Sequence, residues 1–374
     1  MRTVEAKFDL RDRSVRRVVT IDELAAQWDE HLRFALLVAT PEDRDALCRL
    51  VSAGLQNVCA VEGEALEAGD VIRMVATPAK TPVLFRESDS HHTIFLTNQC
   101  NSLCLMCSQP PTKQDDSWLV GQALEIVEHI GRAPSRIGLT GGEPLLLGLA
   151  LRTVLESIGT KLPGTKVDLL TNGRLLARDA TADSVLRELS TPVSWLVPLY
   201  GHADFLHDFI VQSPGSFEET IAGLLRLREH EQAVQLRIVL IKPVLEYLPA
   251  LCEFIGRNLP FVREVALMAC EPVGYALANR DATEVDLADW TETLSNGVRT
   301  LQRHRIPYIF MNTPLCSLPP KLWPFAAKSI SDWKNVYADE CEGCAVKSTC
   351  SGLFAWHDRG WKPTKLRPVQ EITS

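Results

Sequence analysis

Three cysteines in one short stretch are the residues of this sequence with the clearest chemical potential. Cys100, Cys104 and Cys107 follow the pattern Cys-x3-Cys-x2-Cys, directly after the apolar run Thr93–Thr97. Thiolates at this density are typical ligands of zinc or of an iron–sulfur cluster. Three thiolates are one fewer than a closed four-coordinate site needs. The spacing therefore predicts a metal position that stays open to a substrate or a cofactor.

A second group of cysteines lies near the end of the sequence. Cys341, Cys344 and Cys350 follow the pattern Cys-x2-Cys-x5-Cys, in a stretch that several prolines interrupt. This spacing predicts a second metal site, and Cys316 from the same irregular segment is interpreted as its fourth ligand. Four ligands would close the site and make it an electron relay or a structural element. If Cys316 is inert, one metal position stays open; zinc is the alternative metal.

Composition and net charge limit the classes of protein to which this sequence can belong. The chain has 374 residues, of which 46% are hydrophobic and 23% charged, and this is ordinary globular composition. The net charge of −8 gives no general attraction to nucleic acid or to an anionic membrane. We find no apolar signal core at the start and no apolar run of about 20 residues. These features predict a cytoplasmic protein with no nucleic-acid or membrane partner.

The number of cysteines favours metal or redox chemistry over disulfides. There are eleven, in a sequence without an export signal. Four of them lie singly in apolar surroundings, and we interpret them as small buried residues. These four are Cys48, Cys59, Cys252 and Cys270.

From residue 93 onward, apolar runs alternate with stretches of helical periodicity. This order predicts a parallel sheet with right-handed crossovers. The six predicted strands are Thr93–Thr97, Arg136–Thr140, Val167–Thr171, Ser194–Leu199, Gln235–Ile241 and Glu264–Met268. Because parallel strands point the same way, the loops that follow them share one face, where α/β barrels place their active sites. Six units are too few for a closed barrel, so we predict a partial (β/α)6 TIM-type barrel; a flat doubly wound sheet is the alternative.

The fold class is thus α/β, and three regions are predicted. Residues 1–90 form a small α/β module, which either binds a partner or covers the next domain. Residues 91–285 form the partial barrel. Residues 286–374 form an irregular iron–sulfur extension, which starts with a helix over 286–304 and ends in a frayed tail from residue 364.

The cysteine triplet and a second motif together resemble the radical S-adenosylmethionine (radical SAM) superfamily. The second motif, Gly141-Gly142-Glu143-Pro144, follows the second predicted strand. The resemblance implies that the three thiolates bind a [4Fe–4S] cluster whose unligated iron is chelated by the amino and carboxylate groups of SAM. Reduction then yields a 5′-deoxyadenosyl radical that abstracts a substrate hydrogen. A zinc knuckle, or a cluster closed by a distant fourth ligand, is the alternative.

The same resemblance implies the residues that bind the cofactor. Gly141, Gly142, Glu143 and Pro144 would hold the ammonium group of SAM; the alternative is a plain turn into a helix that Pro144 starts. Met106 stands where many members carry an aromatic residue near the adenine. Two further residues are assigned to cofactor binding. For Asn172 the alternative is a simple turn, and for Arg237 it is a charge on an outer face of the barrel.

The second cysteine group resembles the SPASM and twitch extensions of radical SAM enzymes, which bind auxiliary [4Fe–4S] clusters. With Thr97–Pro111, Leu318–Phe325 and Trp333–Asn335, it also resembles the His-Xaa-Ser system radical SAM maturases of the C type. This resemblance implies three partners: a precursor peptide as substrate, a second radical SAM maturase, and an electron donor such as flavodoxin or ferredoxin. A radical SAM enzyme for a small molecule or nucleotide, and a non-catalytic iron–sulfur or zinc scaffold, are the alternatives.

Overall fold

Two seven-stranded sheets make up most of the protein in the computed structural model, which describes residues 2–9, 12–75, 80–363 and 365–370. The first sheet is built from the beginning of the chain and the second from its centre. They share a core, since Val15, Val71 and Phe85 from the first pack in one cluster with Ile94 and Leu96 from the second. The N-terminal module is therefore packed against the barrel and does not form an independent domain with a separate core.

The N-terminal module is a mixed sheet with two helices. Its strands lie in the order β1-β7-β6-β3-β4-β5-β2, and β3, β4 and β5 are parallel neighbours. Both helices begin with a capping box, at Thr20 and at Thr40, which fixes where they start. The elements are β1 Arg2–Val4, β2 Lys7–Phe8, β3 Val15–Val19, α1 Ile21–Gln27, β4 Phe34–Leu37, α2 Pro41–Ser52, β5 Val58–Glu62, β6 Val71–Arg73 and β7 Thr81–Phe85.

The second sheet is entirely parallel and its strands lie side by side in chain order. These strands are β8 Thr93–Phe95, β9 Arg136–Thr140, β10 Lys166–Leu170, β11 Val193–Pro198, β12 Ala233–Leu240, β13 Glu264–Ala269 and β14 Tyr308–Met311. The prediction of a partial TIM-type barrel is confirmed. The predicted number of six strands is too low, because β14 pairs with β13.

Because of this seventh strand, the barrel sheet continues beyond residue 285, where the sequence predicted the end of the barrel. β14 is a run of only four residues between Pro307 and Pro314, so its pattern in the sequence resembles an irregular segment. Its pairing is supplied by β13, which the local sequence does not reveal. The helix predicted over 286–304 is present as a short 3-10 helix followed by α12 Thr291–Arg303.

Helices cover one face of the parallel sheet. The alternation of buried and half-buried residues along β12 shows which face this is. Val234, Leu236 and Ile238 are buried on the helix side, whereas Gln235 and Arg237 lie half-buried on the inner side. None of the helices in the described ranges combines the length and apolar character that a membrane span requires. Besides α12, these helices are α3 Trp118–His129, α4 Leu149–Lys161, α5 Asp179–Leu186, α6 Asp204–Val211, α7 Ser216–Glu229, α8 Lys242–Glu246, α9 Leu248–Asn258, α10 Tyr275–Ala278 and α11 Arg280–Thr283.

The C-terminal extension is irregular, with one two-stranded ladder of β15 Asn335–Val336 and β16 Leu353–Phe354. Short 3-10 helices occupy Pro144–Leu147, Arg174–Ala177, Leu287–Trp290, Leu315–Ser317, Pro320–Phe325 and Asp339–Cys341. The prediction of a frayed tail is wrong for residues 365–370. The amide of Ala345 donates to the Val369 carbonyl at 2.9 Å, so this segment packs on the second cysteine group. Residues 364 and 371–374 lie outside the described ranges.

Candidate functional site

The loop that carries Cys100, Cys104 and Cys107 lies at the carboxyl end of β8 and is held by neighbouring loops and helices. The amides of Leu103 and Leu105 donate to the end of α6, to the carbonyls of Val211 and Ile210 at 3.0 and 2.9 Å. On another side the amide of Tyr275 donates to the Cys107 carbonyl at 2.8 Å. These bonds hold the backbone that carries the three cysteines in place.

Asp116 anchors the start of the cysteine loop, a role that sequence reasoning did not assign to it. The carboxylate is only 5% exposed. It accepts hydrogen bonds from the Thr97 hydroxyl at 3.2 Å and from the Asn98 side-chain amide at 3.1 Å, as well as from the Asn98 backbone amide. Hydrogen bonds to a charged group are the stronger kind, so Asp116 ties the end of β8 to the chain that follows the loop.

The Gly141–Gly142 pair allows the turn after β9 to touch the cysteine loop. The amides of Gly142 and Glu143 donate to the carbonyls of Thr97 and Gln99 at 2.7 and 2.8 Å. A Cβ atom at Gly141 would lie 2.5 Å from the Thr97 carbonyl oxygen, and one at Gly142 would lie 2.2 Å from that of Gln99. No other residue type fits this approach without moving the backbone. The close contact that explains these glycines is therefore a contact with the cysteine loop itself.

Glu143 is fully buried and connects the glycine turn to the end of β10. One carboxylate oxygen accepts from the Thr171 hydroxyl at 2.6 Å and the Leu145 amide at 2.8 Å, and the other accepts from the Asn172 amide at 2.6 Å. Burial raises the pKa of Glu143, while these three donors lower it. The observed role of the side chain is to join two turns. Contact with a cofactor stays a prediction for this residue, and for Pro144, which starts the 3-10 helix that follows.

The turn after β10 reaches the cysteine loop through Asn172 and Arg174. The Asn172 side chain donates to the Asn101 side chain at 2.6 Å. The buried guanidinium of Arg174 donates to the Asn101 carbonyl at 2.7 Å and to the Ser102 hydroxyl at 2.9 Å. Sequence reasoning named Asn172 but missed Arg174. Its only signal was a charged residue directly after an Asn-Gly turn on the active face.

The three thiols lie within electrostatic reach of one another. The pKa of Cys100 is raised to about 11, mainly by burial and further by the Glu143 carboxylate and the Cys107 thiol. The pKa of Cys104 is raised to about 12, mainly by burial and further by the thiols of Cys107 and Cys100. Burial likewise raises the pKa of Cys107. Among the described residues, no three His, Cys, Asp or Glu side chains lie where they would hold a single metal ion. Three free, adjacent thiols suit a cluster, in which each ligated iron takes one thiolate and its positive charge favours the deprotonated form.

Two further predicted residues lie beside the cysteine loop or inside the barrel. Met106 is 6% exposed and packs in the main core cluster. Arg237 lies on the inner side of the sheet, where its guanidinium donates to the Gln235 side chain at 3.1 Å and lies 3.9 Å from the Met268 sulfur. No carboxylate of the described residues forms an ion pair with Arg237, and burial lowers its pKa. The interpretation as a charge on an outer face is wrong.

The second cysteine group is brought together in the extension. Cys316, Cys341, Cys344 and Cys350 line one cavity at the base of the 365–370 segment. The amides of Leu315 and Gly352 each lie 3.4 Å from the Cys350 sulfur, and the amide of Val369 lies 3.4 Å from that of Cys344. Amide donors directed at sulfur stabilise the thiolate form that a metal needs. The single cysteines differ among themselves: Cys59 and Cys252 are buried as predicted, Cys48 is exposed, and Cys270 is half-buried.

Comparisons with known proteins concern the central part of the chain. The family model described as Radical SAM superfamily matches residues 94–255, from β8 into α9. Among solved structures, Streptococcus suis SuiB bound to S-adenosylmethionine is 15% identical, with a TM-score of 0.48 and coverage of 59% of this chain and 50% of that one.

Two further solved structures are similar to this chain. anSMEcpe with bound AdoMet and a Kp18Cys peptide is 14% identical, with a TM-score of 0.44 and coverage of 58% of this chain and 63% of that one. A radical SAM methyltransferase from Sphaerobacter thermophilus is 16% identical, with a TM-score of 0.43 and coverage of 64% and 72%. The chain thus spans half the length of SuiB and less than two thirds of anSMEcpe. No protein of curated function matches the sequence.

Proposed function

We propose that this chain, whose residues 94–255 match the family model described as Radical SAM superfamily, is a radical SAM enzyme that cleaves SAM reductively and abstracts a hydrogen atom from a substrate. Membership of that superfamily implies SAM and a [4Fe–4S] cluster as cofactors. The observation that carries the proposal is the cysteine loop at the carboxyl end of β8. Its three thiols are free, and the turns after β9 and β10 hold it in place. When bound, the cluster and SAM would supply an electron and a carbon-centred radical.

The protein's own residues would bind and orient these groups. Cys100, Cys104 and Cys107 would each ligate one iron. The buried Met106 would present an apolar surface beside them. Arg237, a barrel-interior cation without an ion-pair partner in the described ranges, would receive a carboxylate of SAM or substrate. Asn101 is held by the Asn172 side chain, so Asn172 would act by positioning the loop.

The direct test is SAM cleavage. The protein is reconstituted with iron and sulfide without oxygen, then mixed with SAM and dithionite, and 5′-deoxyadenosine and methionine are quantified by mass spectrometry. We expect both products in equal amounts. If an intact [4Fe–4S] spectrum is accompanied by no 5′-deoxyadenosine, the chain is not a radical SAM enzyme, and the scaffold alternative takes its place.

The substrate class that we propose is a ribosomally made precursor peptide of the His-Xaa-Ser type, supported by the sequence resemblance of Thr97–Pro111 and Leu318–Phe325. The proposed partners are that peptide, a second radical SAM maturase and a flavodoxin or ferredoxin as electron donor. Co-expression with a peptide encoded beside the protein, in medium containing deuterium oxide, tests the substrate. A change in peptide mass or in deuterium content is expected. An unchanged peptide with an enzyme that cleaves SAM would favour a small-molecule substrate.

We also propose that the second cysteine group holds an auxiliary [4Fe–4S] cluster with Cys316 as fourth ligand. Its support is that Cys316 lines the same cavity as Cys341, Cys344 and Cys350. In a protein whose first three cluster cysteines are already alanine, Cys316→Ala should convert the remaining cluster to an oxygen-labile form with about one iron fewer. Iron analysis and electron paramagnetic resonance (EPR) report this change. Cys252→Ala, a buried cysteine outside both groups, is the control; identical spectra for both variants would exclude Cys316 as a ligand.

Arg237 gives a prediction for cofactor binding. Arg237→Met removes the guanidinium, so the dissociation constant of SAM should rise by about tenfold to a hundredfold, the range for a lost charge-assisted hydrogen bond. Equilibrium dialysis against the reconstituted protein measures it. Arg136→Met is the matched control, because Arg136 starts β9 at the other end of the sheet and already pairs with Asp168. Equal dissociation constants of SAM in both variants would show that Arg237 does not bind SAM.

A further inference from the structure

The 365–370 segment is a part of the second cysteine site to which the proposed function gives no role. Two of its residues line the cavity that the four cysteines of this site also line, Leu366 and Arg367. The Val369 amide is directed at the Cys344 sulfur, 3.4 Å away, and the Val369 carbonyl accepts from the Ala345 amide at 2.9 Å. The segment therefore contacts a predicted metal ligand and the residue that follows it.

The beginning of this segment is attached to a different part of the protein. The Lys365 amide donates to the Asp286 carboxylate at 3.2 Å, and the Lys365 ammonium forms an ion pair with Asp289. Both aspartates belong to the short 3-10 helix, with its N-cap, that leads into α12. The segment is thus held on two sides of the cysteine site, by the start of α12 and by the chain around Cys344.

The Val369 amide differs in origin from two other backbone donors directed at sulfur in this site. The amides of Leu315 and Gly352 are directed at Cys350, and both residues lie within two positions of a predicted ligand. Gly352 has a φ of 67°, and a Cβ atom there would lie 2.7 Å from the Val336 carbonyl oxygen, so glycine is needed to present that amide. Val369 lies 25 residues from Cys344 in the sequence. The donor to Cys344 therefore depends on the docked 365–370 segment.

The wall of the cavity is suited to additional negative charge. The charged residues that line it are Lys347 and Arg367, both basic, and no acidic residue of the described ranges lines it. The Lys347 ammonium lies 5.4 Å from the centre of the Tyr337 ring, whose hydroxyl donates to the Cys350 carbonyl at 3.0 Å. A [4Fe–4S] cluster on four thiolates is negatively charged and gains one more negative charge on reduction. A hydrogen bond to one of its sulfurs stabilises that additional charge.

We propose that the 365–370 segment raises the reduction potential of the auxiliary cluster through the hydrogen bond from the Val369 amide to the Cys344 sulfur. This inference rests on the proposed auxiliary cluster and deepens that proposal, since it gives the site a redox role and not only a structural one. With the segment docked, the cluster is easier to reduce than the same four thiolates would make it without this donor.

The test uses a protein whose first three cluster cysteines are already alanine, so that anaerobic reconstitution loads only the auxiliary site. Val369→Pro removes the amide hydrogen and is compared with Val369→Ala, which keeps it. A second pair compares a chain that ends at Pro363, without the segment, with one that ends at Gln370 and retains it. The midpoint potential is measured by EPR-monitored titration. In deuterium oxide, electron–nuclear double resonance measures the coupling of exchangeable deuterons to the reduced cluster.

We expect a lower midpoint potential and one fewer exchangeable coupling in Val369→Pro than in Val369→Ala, and a lower potential in the shorter chain than in the longer one. Equal potentials within either pair would overturn the inference and leave the auxiliary cluster intact. If Val369→Pro assembles no cluster, the pair of shortened chains decides. Zinc in place of iron at this site would overturn the auxiliary cluster and this inference together. SAM cleavage by the unchanged protein would still support the proposed enzyme activity.

Discussion

Replacing Cys104 with alanine is expected to abolish 5′-deoxyadenosine formation completely. Cys104 is the middle ligand of the predicted cluster, and its thiol lies within electrostatic reach of Cys100, Cys107 and the Arg174 guanidinium. With two thiolates left, the cluster loses the geometry that leaves one iron for SAM. Iron content should fall by about four atoms per chain if both cysteine groups are loaded in the unchanged protein. Absorbance, iron analysis and product formation after anaerobic reconstitution measure the three effects.

The same alanine substitution at Cys252 provides the control for this experiment. Cys252 is fully buried in α9 and lies far from either group in the sequence, so it tests whether loss of any buried thiol has these effects. Its variant should keep its iron and its SAM cleavage. Persistent SAM cleavage in the Cys104 variant would contradict a cluster on this loop. Loss of zinc instead of iron would support the alternative of a structural metal site.

The sequence predicted the central fold well because the relevant signals are local. Apolar runs of strand length followed by helical periodicity define β8 to β13, and the strand Arg136–Thr140 has the predicted bounds. β14 was missed because its identity as a strand depends on pairing with β13 across a long connection. The packing of residues 365–370 was missed for a similar reason, since its partner Ala345 is distant in sequence and the segment has no periodicity of its own.

The sequence alone names candidate reactive residues for the site, but it does not name the residues that position them. Thiols at a fixed spacing and a Gly-Gly turn leave a signature in the sequence. Asp116 and Arg174, in contrast, are ordinary charged residues whose importance comes from buried contacts with the cysteine loop. Which charged side chain turns inward depends on the tertiary structure.

Glu143 belongs to both kinds of residue, those with a signature in the sequence and those that position the site. The motif around it has a signature, but its carboxylate serves three donors of its own protein. Through the Asn172 amide it joins β10 to the glycine turn, and through its own amide it joins the turn to Gln99 of the cysteine loop. Its removal therefore acts on stability and on the cluster site together.

Glu143→Ala is expected to lower the free energy of unfolding by about 2 to 4 kcal/mol, since the buried donors of Thr171, Leu145 and Asn172 lose their acceptor. Urea denaturation of the cluster-free protein measures this loss without interference from the metal. Glu156→Ala is the control: Glu156 pairs with Arg152 on the surface of α4, and such exposed pairs contribute about 1 kcal/mol or less. In the reconstituted protein, the Glu143 variant should also assemble less of the first cluster, because the cysteine loop loses its support. Equal stability of the two variants would show that the three donors find water or other acceptors, and the connection through Glu143 would then be dispensable.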